Sequence, residues 1–190
     1  MSISNTWHET LVRSTAAGSN FGSFTTAKTV IPADCVYTLP ANYFEVGSTM
    51  RVRAIGSIGT LVTTPGTITF QVMFGSVIAF TTGALQLNAT AHTTIPFWLD
   101  IALTCRSIGA STTATMMGQA MAFGTMFTVT AGQTDGVNTM AYLMAPNTAP
   151  AVGTGFSSVG TIAIDFFAGF SINNAANTVQ IQQYSVISER

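Results

Sequence analysis

Charge is what this chain has least of. Its 190 residues include 6 Lys or Arg and 7 Asp or Glu, a charged share of 7% where an ordinary soluble domain carries roughly 25%. A soluble monomer coats itself with charge to stay dispersed. A chain with so little is expected either to sit in a membrane or to keep much of its surface against other protein. Long apolar runs are missing as well. Thr, Ser, Gly and Gln interrupt every window short of the roughly 18 residues a membrane helix needs, which excludes helical spanning. A membrane β-barrel is the alternative, but Tyr37, Tyr43, Tyr142 and Tyr184 do not bracket strands as interfacial aromatic girdles do. Residues 1 to 20 are polar around Trp7-His8-Glu9, and no secretory or lipid-anchor signal is visible in them.

The same scarcities remove most chemistry. Lys28 is the one lysine and the net charge is -1, so the basic cluster that grips a nucleic-acid backbone is lacking. His8, His92, Cys35 and Cys105, too few and too scattered, provide neither a metal-ligand set nor the base of a nucleophilic triad. The cysteines have no C-x-x-C spacing; they read as buried free thiols, with a disulfide as the alternative. The carboxylates fall singly at Glu9, Asp34, Glu45, Asp100, Asp135, Asp165 and Glu189. Acid–base hydrolysis works with two carboxylates, and only Asp100 and Asp165, both inside predicted strands, are placed to meet across a sheet. No glycine opens a phosphate loop with Lys and Thr following. The expectation is a protein that is not an enzyme and has no cofactor, no metal, no nucleic-acid partner and no membrane contact.

What is present is alternation, the period-2 signature of strands with one buried face. Met50, Val52 and Ala54 interleave with Arg51 and Arg53. Ile68, Phe70, Val72 and Phe74 interleave with Thr67, Thr69, Gln71 and Met73. The cleanest case is Phe97, Leu99, Ile101, Leu103 and Cys105 against Trp98, Asp100, Ala102, Thr104 and Arg106. Ile162 to Phe170 alternates with aromatics on both faces. Thr178 to Ser188 slips phase once, which a bulge near Gln182-Gln183 repairs. Phe74-Gly75-Ser76 predicts a hairpin turn. β-branched residues and recurrent Gly leave room for one short helix at most.

Eight to ten strands over residues 24 to 188, with several long connections, predict an all-β fold: an antiparallel two-sheet sandwich of the jelly-roll kind. Residues 24–190 form the single domain, and residues 1–23 read as an extended N-terminal arm. Trp7, Leu11, Val12 and Phe21 are apolar hooks along that arm. Arg51 and Arg53 share a strand face and are expected to meet carboxylates or carbonyls of a neighbouring strand or subunit. Trp98 is predicted outward, either as an interface anchor or covered by a loop of its own subunit. The methionines, Met116, Met117, Met121, Met126, Met140 and Met144 above all, suit a core or a forgiving interface.

The segments Tyr37-Thr38-Leu39-Pro40-Ala41-Asn42-Tyr43-Phe44, Met50 to Ala54, Gly66 to Val72, Pro96 to Leu99 and Asn174 to Tyr184, in that order, resemble small jelly-roll virion proteins of tailed bacteriophages, the head-decoration and minor capsid type. The resemblance implies a structural component of a virus particle: a homo-oligomer, often a trimer, that binds and stabilises the head against a major capsid protein. It transfers no catalytic residues. A tail- or fibre-associated receptor-binding or carbohydrate-binding sandwich is the second function compatible with these strands.

Overall fold

The computed structural model describes residues 7–61, 63–90, 92–128, 141–146 and 148–189. Thirteen strands occur among them: β1 (His8–Arg13), β2 (Phe21–Gly22), β3 (Lys28–Thr29), β4 (Tyr37–Leu39), β5 (Thr49–Thr60), β6 (Thr67–Phe74), β7 (Val77–Thr81), β8 (Leu85–Gln86), β9 (His92–Ser107), β10 (Thr115–Gly124), β11 (Ala141–Ala145), β12 (Ile162–Phe170) and β13 (Thr178–Glu189). The helical content of the described residues is one 3-10 turn, Ala33–Cys35. The larger sheet runs β1-β13-β5-β9-β10-β11, and the smaller runs β3-β12-β6-β7, with β4 on β12 and β8 on β6. Every ladder is antiparallel. Among the described residues no ladder joins the two sheets, so they pack face to face and do not close into a barrel.

The pairing is nested: β1 with β13, β4 with β12, β5 with β9, and β6 with β7. At its tip lies the two-residue turn Gly75-Ser76, where Phe74 pairs with Val77 and Gly75 takes a φ of +61° that a side chain would resist. The phase slip predicted in the last strand is a register shift between Ile181 and Gln183, so Val179, Ile181, Tyr184 and Val186 all point inward and are buried.

Alternation decides the core. Phe97 and Tyr184 from the larger sheet meet Phe70 and Phe166 from the smaller: Phe70 stacks on Phe97 and Phe166 at 5.3 and 5.6 Å, and Phe166 lies 5.8 Å from Tyr184. Each such ring removes roughly 150–250 Å² from water. These contacts fix the spacing of the layers. A second cluster, Phe44, Phe74 and Phe156, fills another part of the core. Met50, Met116 and Met126 are core, whereas Met121 and Met144 are exposed; Met140 lies outside the described residues.

Three expectations shift. Residues 8 to 22, part of the segment read as an arm, run along β13, through β1, then through backbone bonds from Ser14 to Tyr184 and Gly18 to Ile181, then through β2. Alternation there is weak because much of that hold is backbone pairing rather than side-chain burial. Residues 1–6 lie outside the described residues. His92, read as a loop residue, opens β9. Asp100 and Asp165 sit on different sheets, β9 and β12, and both point outward, so they form no carboxylate pair.

Candidate interface on the outer face of the larger sheet

Inward burial of Val52, Ala54, Leu99, Ile101, Ala120 and Ala122 forces their neighbours outward, and strand register lines these up in rows. Arg13, Ser185, Arg53, Asp100, Met121 and Met144 are successive partners across six strands. The next row is Gln183, Ile55, Trp98 and Phe123, and on the other side lie Ile187, Arg51, Ala102 and Gln119. One face thus combines arginine, tryptophan, phenylalanine and methionine, the side chains enriched at the centres of protein interfaces.

Asp100 is the hub. Arg51 donates to it twice, from Nε at 2.7 Å and Nη2 at 2.6 Å, a two-pronged pairing that fits planar guanidinium to planar carboxylate. This bond holds the Arg51 guanidinium still more firmly protonated than usual. Arg53 approaches the same carboxylate from Nε at 3.4 Å. Its buried Nε has no hydrogen bond.

Charge is concentrated here. Arg13, Arg51, Arg53 and Arg106 all lie on this face; Lys28 is elsewhere, its ammonium 4.5 and 4.3 Å from the rings of Phe21 and Phe24, and Arg190 lies outside the described residues. Among the described residues Asp100 and Glu189 are the carboxylates on the face, so four arginines stand there against two acids in a chain of net -1; Asp135 lies outside the described residues. The outer face of the smaller sheet carries Thr67, Thr69, Gln71, Phe167 and Asp165 instead, the last accepting a hydrogen bond from Thr29 Oγ1 at 2.7 Å.

Trp98, 45% exposed, stands between two grooves. A mostly apolar one of about 590 Å³ is lined by Ile55, Pro96, Phe97, Met121 and Phe123 together with Arg51 and Asp100. A more polar one of about 370 Å³ is lined by Arg13, Ser14, Arg53, Gln183 and Ser185. Exposed Met121 and Met144 extend the apolar strip.

Arg51, Arg53 and Trp98, singled out from the sequence, come together on this face. The other four do not join them. Trp7 is 67% exposed just ahead of β1, Val12 is buried in the core, and Leu11 and Phe21 pack partly against it. Sequence reasoning missed Arg13, Ile55, Phe123, Met121 and Met144 as members of the face. Parity within a strand places each outward, but only cross-strand register puts them beside Trp98. Elsewhere the chemistry is thin. Cys35 and Cys105 are buried and unpaired, and burial pushes both thiols up, with Asp34 adding to the effect at Cys35. No group of three or more potential metal ligands occurs among the described residues. None of their helices is long and apolar enough to cross a membrane. No protein-family model matches the chain, and no curated protein matches it.

Proposed function

We propose that this chain is a structural, non-enzymatic jelly-roll subunit of a virus particle. In this reading it decorates or cements the head of a tailed bacteriophage as a homo-oligomer, of trimeric kind, bound to a major capsid or other virion protein. The carrying observation is the outer face of the larger sheet: a chain with 13 charged residues in all gathers four arginines, exposed Trp98, Met121 and Met144, and half-buried Phe123 there. That is the make-up of a surface to be covered, and the scarcity of charge elsewhere agrees with a subunit held among neighbours. The nested order, β1-β13-β5-β9 facing β4-β12-β6-β7, supports the jelly-roll reading, a double-sheet architecture that virus capsid domains share with lectins. β10 and β11 then extend the first of these sheets. The N-terminal segment contributes through exposed Trp7 at its start.

Protein mass spectrometry of purified particles tests membership. A stoichiometric band that is lost, together with shell stability, when the gene is deleted is the expected result; particles free of the protein would overturn the reading. A second reading has one observation in its favour: Trp98 between two grooves, one of them polar, is also how a sugar ring is gripped. Glycan-array binding abolished by Trp98→Ala would favour that module.

A further inference from the structure

The polar groove beside Trp98 has features that the general interface reading does not use. Arg13 and Arg53 reach it from strands two apart, about 10 Å between their backbones, with Ser185 between them in register. The Arg13 guanidinium has no hydrogen bond or ion pair among the described residues. Arg51 already occupies both oxygens of Asp100, so Arg53 is left with the 3.4 Å approach from a buried Nε that makes no hydrogen bond, while its side chain is 38% exposed and lines the groove. Two guanidiniums are thus incompletely matched over one groove, with the hydroxyl of Ser185 and the amide of Gln183 beside them and Trp98 and Ile55 as an apolar wall. Guanidinium forks in this state are complementary to a carboxylate. The wall favours one carried next to an apolar side chain.

We propose that this groove receives an Asp or Glu side chain from a different protein, presented on a segment that also places an apolar side chain against Trp98. Face-to-face docking of a second copy is disfavoured, because self-complementary pairing would set one arginine-rich surface against another; the homo-oligomer contacts proposed above are assigned to other faces. The inference rests on the face being the docking surface proposed above, and it adds the chemistry of the partner.

The test uses the full chain carrying Trp7→Phe, so that Trp98 alone reports by fluorescence. It is titrated at pH 7 and low salt with acetyl-Leu-Glu-Leu-amide, acetyl-Leu-Gln-Leu-amide and sialyllactose. The Glu peptide is expected to bind at least tenfold tighter than the Gln peptide. Arg53→Gln and Arg13→Gln should each remove most of that preference; Arg13, exposed on an edge strand, can be changed without disturbing the core. Equal response to the two peptides, or none to either, would overturn the proposal. Binding of sialyllactose in place of the Glu peptide would overturn it in favour of an acidic sugar. If Trp98→Ala abolishes particle binding while the peptides are not discriminated, the carboxylate assignment alone falls and the docking surface stands.

Discussion

Two adjacent residues on β9 should fail in opposite ways. Phe97 is 2% exposed and stacks on Phe70; Trp98 is 45% exposed. Phe97→Ala empties part of the core and should cost about 3–5 kcal/mol of stability, as large-to-small aromatic changes do. Trp98→Ala removes the outward side chain facing its cross-strand partners Ile55 and Phe123, pairs worth roughly 0.2–1 kcal/mol each, so the fold should lose about 1 kcal/mol. At roughly 2–4 °C per kcal/mol for a chain of this size, thermal unfolding should drop by only a few degrees. Binding is different. A tryptophan offers up to about 250 Å², of which the exposed 45% is roughly 110 Å². Covering it at about 25 cal/mol/Å² gives close to 3 kcal/mol, on the order of a hundredfold in affinity. The assay is co-sedimentation of labelled protein with particles lacking it, alongside thermal unfolding by circular dichroism. Trp98→Ala protein that is folded and still binds within twofold of the original would refute the assignment of this face as the docking surface.

Tyr184 is buried, its hydroxyl without a hydrogen-bond partner among the described residues, and burial drives its ionisation far upward. Tyr184→Phe should therefore hold or raise stability, by about 1–2 kcal/mol in urea unfolding. Its folded pKa lies above its unfolded value, so the folded state keeps a proton that the unfolded chain releases. Above about pH 10 stability should fall by up to roughly 1.4 kcal/mol per pH unit through this residue, and the Phe variant should show a shallower slope. Gly56→Ala would drive a Cβ into the Gln180 carbonyl and the Phe97 ring, and a loss of about 2 kcal/mol or more is expected in the same assay. Cys35 and Cys105 should be inert to an aromatic disulfide reagent at pH 8 in native protein and both react in denaturant; rapid native labelling would contradict their burial.

The sheet architecture was legible because alternation is strict where one face is dry. The parity of Phe97 to Arg106 assigned those side chains of β9 to their faces, and the slip at Gln182-Gln183 exposed the bulge. The Arg51 pairing was legible in kind, since an outward arginine needs a carboxylate, although Asp100 as its partner was not. Rows such as Arg13-Ser185-Arg53-Asp100 join residues up to 172 positions apart (185 against 13), and nothing local in a strand encodes its register with another. The course of residues 8 to 22 along β13 was hidden for a related reason. Backbone amides and carbonyls carry much of that attachment, and they are the same whatever the side chains.

The most direct test of the proposed role is cryo-electron microscopy of tailed-phage particles incubated with this protein. The expected map shows a two-sheet subunit seated on the head with Trp98, Arg53 and Met121 covered by a neighbouring protein. Density that leaves this face open to solvent, with the smaller sheet turned to the shell, would contradict the account.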